Sequence, residues 1–307
     1  MDALTAILAI LAVVTVLYEL ARRIAVPYPT LFVIGGLALG VIPGLPKLAL
    51  EPELVLLVFL PPLLFGAAID TPVRELRANI APLLRLSVGL VVFTMVLVAI
   101  AANMLIPGLG WAAAFTLGAI VAPTDALAAT SVFRRIGAPR IVVTLVEGES
   151  LLNDATALVA YRAAVVAVAT GSFVLTQVLG TFVVAALGGI VLGVLAGAAA
   201  REILRRLDNA PVEVAISLII PYAAYLPAER LGLSGVLAAV AAGLVVGSRF
   251  GTILTPSRRV LWLTTWKMIG FVLNGFVFVL IGLELPAIIE GLEGRNPTEL
   301  IAVTVLI

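Results

Sequence analysis

An all-α, polytopic membrane protein is the fold class the sequence predicts, and three observations predict it. Of 307 residues, 62% are hydrophobic and only 12% charged, with a mean hydropathy of +1.21. A soluble globular chain is roughly 45–50% apolar and about 25% charged. The apolar residues fall in runs of about 16–30, around the length that carries a helix across a hydrocarbon core of roughly 30 Å. Finally, arginines collect in every second connection between runs, as they do where cytoplasmic loops alternate with external ones. Cysteine and histidine are both absent. That excludes disulfides, thiolate metal sites and cysteine nucleophiles, and leaves carboxylates or lysine for any proton handling near neutral pH.

The runs, in order, are about 3–20, 28–43, 53–69, 79–106, 111–132, 141–170, 172–200, 212–227, 233–248 and 260–286. The first lacks a basic leader and a small-residue cleavage site, so it reads as a retained span. An eleventh begins near Glu299 and stops at Ile307. A helix ending there would leave backbone groups unpaired in lipid, so the sequence is expected to be a C-terminally truncated fragment. One set of connections carries 14 arginines: Arg22 and Arg23; Arg74, Arg77 and Arg85; Arg134, Arg135 and Arg140; Arg201, Arg205 and Arg206; Arg249, Arg258 and Arg259. The opposite set carries only Lys47, Arg230 and Arg295, with Glu51, Glu53, Glu229, Glu284, Glu290 and Glu293. This bias puts the N-terminus outside and the arginine-rich loops in the cytoplasm.

Chemistry concentrates in the fifth and sixth runs. The sixth contains Glu147-Gly-Glu-Ser-Leu-Leu-Asn-Asp154, three carboxylates in eight residues. Ionised groups at such depth cost a few kcal/mol each and mark functional sites by default. The fifth contains Pro123-Thr-Asp125 near its middle. Pro123 removes a backbone donor, so the helix should kink or open there and expose carbonyl oxygens able to ligate a cation. At 1.5 Å per residue, Asp125 lies about 21 Å from Trp111 and Asp154 about 20 Å from Arg140, so they reach similar depth from opposite ends. Glu147, Ser150 and Asp154 share one helical face, while Glu149 and Asn153 form an adjacent pair four residues apart. Such an oxygen-rich set suits a hard cation. Two aspartates close together also cannot both stay ionised cheaply when the site is empty, so protons and cations would compete. The blander alternatives are a proline kink beside a satisfied aspartate and a polar network that packs helices. Arg162 reads either as a charge partner within the bundle or as a side chain reaching the outer interface; Lys267 reads as reaching the inner one. Asn274 reads as a helix-packing hydrogen bonder.

These residues resemble those of the monovalent cation:proton antiporters of the Na+/H+ exchanger type, in particular the bacterial NhaP-like branch. Pro123-Thr-Asp125 followed by Gly148-Glu-Ser-Leu-Leu-Asn-Asp154 carries the resemblance, with Leu60-Pro-Pro-Leu-Leu-Phe65 and Asn274-Gly-Phe-Val-Phe278 with Gly282 in support. It extends over essentially the whole chain. The resemblance implies that Asp154 binds both the ion and the proton. Asp125, the Thr124 backbone and Ser150 would complete the Na+ shell, with Asn153 holding the opened part of the fifth span. Pro123, Glu149 and Glu147 are supporting positions, Glu147 as part of an entry funnel. The Asn-Asp pair, where an electrogenic relative would carry Asp-Asp, implies one-for-one electroneutral exchange. Fold and assembly are implied too: the inverted-repeat antiporter fold with a core bundle and a dimerisation domain, and a homodimer formed partly by the first span. On this chain the first repeat would cover about 1–170, a linking span about 172–200, and an incomplete second repeat about 212–307.

Two departures bear on the site. Gly66 stands where family members often carry a glutamate, and the arginine expected to pair with Glu149 would lie beyond Ile307. A protein of only these residues is not expected to transport. The implied role is pH homeostasis in a bacterial inner membrane, with lipid, monovalent cations and protons as partners, and neither a cofactor nor nucleic acid. Li+ or K+ are alternatives to Na+ as cargo. A cation channel would need a selectivity ring and a continuous pore, which paired titratable aspartates beside a broken helix do not supply. A non-transporting scaffold fits poorly with the cost of burying four acids. No enzymatic nucleophile, metal-ligand cluster or nucleotide loop is visible.

Overall fold

The computed structural model describes residues 3–24, 26–42, 52–124, 126–171, 175–248 and 255–291, all helices and short connections. The helices are α1 (Ala3–Ile24), α2 (Tyr28–Gly40), α3 (Pro52–Asp70), α4 (Val73–Ala78), α5 (Ile80–Leu84), α6 (Val91–Leu105), α7 (Trp111–Val121), α8 (Ala126–Arg135), α9 (Arg140–Thr170), α10 (Leu175–Arg205), α11 (Ala210–Arg230), α12 (Gly235–Gly247) and α13 (Pro256–Glu290). Each of the ten complete apolar runs corresponds to one helix or to a pair. The segments 80–105, 140–170, 180–205, 210–230 and 256–290 are long and apolar enough to cross a membrane by length and composition. The eleventh run, and the charged positions Lys47, Glu51, Arg249, Glu293 and Arg295, lie outside the described residues.

The run 111–132 opens at Pro123 into two helices, α7 and α8, one of the two outcomes expected of the proline. Two features depart from the sequence reading. Arg85, read as part of a connection, instead opens a π-helical stretch, Arg85–Leu90, that joins α5 to α6 in one continuous segment. Within it Ser87 is fully buried and donates to the Leu83 carbonyl at 2.8 Å. The short helix α4 was not legible as an element at all. It is tied down by Glu75, which accepts from Thr144 Oγ1 at 2.9 Å and pairs with Arg140 at 3.3 Å, both in the first turns of α9.

Helix ends follow local chemistry. Asn209 accepts from the Val212 amide at 3.3 Å and starts α11; Ser234 accepts from the Leu237 amide at 3.2 Å and starts α12. At the far end of α9, Gly171 takes φ +65°, a left-handed cap that closes the helix at little steric cost.

The chain forms two compact units. One holds the described residues up to Leu63 with those from Leu261 on. Its core is Ile10, Val14, Phe32 and Val279, beside an aromatic group in which Tyr18 meets Phe271 edge-on at 4.7 Å. Here α2 and α13 touch backbone to backbone: a Cβ on Gly36 would collide with the Val279 carbonyl, and one on Gly282 with that of Val33. The other unit is Leu64–Val260. In it α10 lies against α12 through Gly189, Gly193 and Gly197, each facing backbone of Ser234, Ala238 or Ala242. Small residues let membrane helices approach this closely. Glu213, fully buried in the first turn of α11, pairs with Arg258 at 3.0 Å, and Arg258 also bonds Asp208. Every sequence-predicted site residue falls in this unit.

Candidate functional site

The site grows from the break between α7 and α8. Helix α7 has only 11 residues, about 16 Å of rise, so it ends partway across a core of roughly 30 Å. Pro123 and Thr124 follow in non-helical conformation, and helical structure resumes at Ala126. A break of this kind frees carbonyls at the end of α7 and amides at the start of α8. In lipid those groups need partners within the protein.

Helix α9 supplies them. It runs 31 residues without interruption and carries the acidic motif past the break. Its close fit begins with Gly148, where a Cβ would press on Leu76 and Leu83 at 3.1 Å. Beyond the motif, Ala157 packs with Ala122 of the break and Val91 of α6. On the far side of α7, Gly118 faces the Met95 carbonyl so closely that no side chain fits. These contacts hold α6, α7 and α9 together around the opened segment.

Asn153 is the centre of the polar contacts. It is fully buried, and its Nδ2 donates to the Thr124 carbonyl at 3.3 Å, to Thr124 Oγ1 at 3.3 Å and to Glu149 Oε1 at 2.9 Å. Its Oδ1 is buried with no hydrogen-bond partner among the described residues. Thr124 Oγ1 donates in turn to Glu149 Oε1 at 3.4 Å. One turn along α9, Ser150 Oγ accepts from the Ala126 amide, the first N–H of α8, at 3.4 Å. Carbonyl and amide sides of the break are thus both held by α9.

The structure therefore brings together Thr124, Glu149, Ser150 and Asn153. Asp154 follows Ser150 by four residues, one turn along the same face, and is half-buried. Pro123 sits half-buried in the break. Glu147 is half-buried about two turns on the Arg140 side of Asp154. Asp125 lies outside the described residues, so its position relative to Asp154 is not part of this geometry. Glu149 is already engaged by Asn153 and Thr124 through a single oxygen. Among the described residues no three acids converge as a metal cluster would require. The arrangement offers separated carboxylates beside neutral oxygens, which suits transient capture of a weakly held ion.

Sequence reading left two partners unassigned. Arg162, weighed between a bundle partner and the outer interface, pairs with Glu229 of α11 at 2.8 Å. Glu75, which was not singled out, anchors the start of the site helix through Thr144 and Arg140. Its signal was faint: an acid between two arginines in a loop looks like an ordinary solvated charge.

A polytopic helical protein with an acidic motif crossing a broken helix defines a class, that of secondary ion carriers. Within that class this chain belongs to the sodium/hydrogen exchanger family: the family profile described as "Sodium/hydrogen exchanger, transmembrane" matches residues 8–307. An uncharacterized Na(+)/H(+) exchanger of Mycobacterium tuberculosis is 37% identical over 295 residues, covering 95% of this chain and 54% of the relative. The sodium, potassium, lithium and rubidium/H(+) antiporter of Bacillus subtilis is 35% identical over 299 residues, covering 94% and 44%. The Na(+)/H(+) antiporter ApNhaP of Aphanothece halophytica is 36% identical over 286 residues, covering 92% and 54%. The chain thus spans about half the length of the curated relatives it matches. The sodium proton antiporter MjNhaP1 from Methanocaldococcus jannaschii superposes with a TM-score of 0.73 at 22% identity, over 92% of this chain and 70% of that one. The two therefore have the same fold.

Proposed function

We propose that the protein exchanges Na+ for H+ across a bacterial inner membrane by alternating access, with proton and cation competing for Asp154. The observation that carries this reading is the tie between α9 and the α7–α8 break. An ionisable residue stands one turn from a helix interruption whose carbonyl and amide groups are already oriented. In secondary transporters such interruptions form the midplane ion site. Thr124 and Ser150 supply neutral oxygens to the cation, Asp125 a second carboxylate, and Asn153 and Glu149 hold the opened segment. Pro123 keeps it open, and Glu147 belongs to the cytoplasmic approach.

Each cycle needs only one binding equilibrium used twice. From one face the cation displaces the proton from Asp154; from the other a proton displaces the cation. A carboxylate in a poorly solvated site favours whichever partner neutralises it. With a neutral Asn153 beside the single exchanging Asp154, the exchange is one for one and electroneutral. The Bacillus subtilis relative's named cargoes leave Li+ and K+ as further substrates. The layout follows the same reading: a first inverted repeat over about 1–170, a linking span over about 172–200, and part of a second repeat over about 212–307. A core bundle works against a dimerisation domain in a homodimer, with the N-terminus outside and the arginine-rich loops cytoplasmic.

The test is proton movement in everted vesicles carrying the gene product, after addition of Na+, Li+ or K+, with Asp154→Asn as control. Dissipation of ΔpH by the cation in the unmodified protein, abolished by the substitution, is expected. Cation-driven proton movement that survives Asp154→Asn would overturn the mechanism.

A further inference from the structure

The site helix is held unevenly. On one side α9 lies along α7, α8 and the π-helical stretch, with Ala157 packed on Ala122 and Val91. Among the described residues its backbone approaches α10 and α12 at far fewer places, and α11 at fewer still. The α10–α12 group is itself tightly joined through the glycine face of α10 and the backbone of α12. Two well-packed groups therefore meet along a thin boundary, with α9 at its edge.

A charged pair bridges that boundary. Arg162 of α9 reaches Glu229, in the last turn of α11, with Nη1 at 2.8 Å from Oε2. The Tyr225 side chain, one turn before Glu229 and buried, also interacts electrostatically with Arg162. The other oxygen of Glu229 accepts the Gly235 amide at 3.0 Å and so caps the start of α12. No side chain fits at position 235: a Cβ there would lie 2.8 Å from both Glu229 Oε1 and Tyr225 Cδ2. Glu229 thus has a second partner in α12 that does not depend on Arg162.

We infer that Arg162 and Glu229 are positioning residues for exchange: their ion pair pins the site helix to the α11–α12 group in one access state and opens when α9 moves to the other. The inference rests on the exchange reading above. Alternating access requires displacement of the site helix against some neighbour, and the thin boundary is where displacement breaks the least apolar contact. A half-exposed ion pair is weak enough to open during turnover. Long side chains across a gap also favour one register over others, as apolar packing there does not. Arg162 lies eight residues beyond Asp154, about 12 Å along the helix, so the pair acts on the site by placing α9 and not by touching the ion.

The chain has no native cysteine, which makes a labelling test direct. Ala160→Cys is introduced alone and with Arg162→Gln, Glu229→Gln, both together, or Arg162→Lys. Labelling by a membrane-impermeant maleimide and the half-maximal Na+ concentration for ΔpH dissipation are then measured. Glu229→Gln keeps an oxygen for the Gly235 amide while removing the ion pair. Both single variants should change the labelling rate and the half-maximal Na+ concentration by about fivefold in the same direction, and the double variant no further. Arg162→Lys, which keeps the charge and leaves the Gly235 amide capped by Glu229, should hold both within about twofold of the starting protein. Unchanged labelling in the single variants overturns the inference, as does a fall in folded protein or maximal rate alone, or an Arg162→Lys variant that behaves like Arg162→Gln. Absence of cation-driven proton movement in the unmodified protein would instead overturn the exchange reading, which the labelling result does not depend on.

Discussion

Asn153 places one neutral amide against three acceptors on two separate segments, Thr124 twice and Glu149 once. A neutral hydrogen bond contributes roughly 1 kcal/mol and one to a charged group somewhat more. Asn153→Ala should then cost about 2–4 kcal/mol, much of it in the geometry of the break. The expected outcome is a rise of about 30-fold or more in half-maximal Na+ concentration, measured by ΔpH dissipation, with Asp154 untouched. The sequence marked Asn153, Glu149 and Ser150 because polar residues rarely enter a span. Spacing did not reveal their partners, because 24 to 29 residues separate Asn153 and Ser150 from Thr124 and Ala126; only the resemblance tied Asn153 to the opened fifth span. Spacing along a helix defines a face; it does not say what the face meets.

At the scale of elements, hydropathy located ten helical runs within a few residues, because lipid forces each apolar stretch to satisfy its own backbone. It was blind to α4 and to the π-helical Arg85–Leu90, whose existence depends on packing rather than on the apolar total. The break at Pro123 was foreseeable, since proline removes a donor from the helical ladder. Pro123→Ala restores that donor and should let helix propagate through the gap. Protein yield and thermal stability are expected to hold while cation-driven proton movement falls at least tenfold; unchanged transport would show that the break is not needed. Glycine faces give a second prediction. Gly193 has no space beside the Ala238 carbonyl, so Gly193→Leu must push α10 from α12. Overpacking of this kind costs about 1–3 kcal/mol or more. The melting temperature in detergent should fall, whereas Gly89→Ala, where a Cβ would meet nothing within 4 Å, should leave it unchanged.

For the whole molecule, competition between proton and cation at one carboxylate has a definite form. Where the site is mostly protonated, each unit rise in pH should lower the half-maximal Na+ concentration about tenfold, until the proton ceases to compete and the value levels off. A titration of ΔpH dissipation against Na+ at several pH values checks it, and a pH-independent half-maximal concentration would argue against a shared site. One-for-one exchange adds a second signature, a rate in liposomes indifferent to an imposed membrane potential. Both signatures are proposals for the whole protein, because the chain spans about half the length of the curated relatives it matches.

Asn153 has a final consequence. An amide keeps the same charge at every pH, so the bonds of Asn153 to the Thr124 carbonyl and hydroxyl need not change with whether the proposed exchanging acid carries a proton, a metal ion or neither. A charged residue in that place would tighten or loosen with each change of cargo and would spend part of the binding energy on reshaping the site. Under the proposed exchange, the amide that holds the opened helix and the acid that exchanges cargo are different residues. That separation would allow such a carrier to run in either direction as gradients reverse, with the same site serving both.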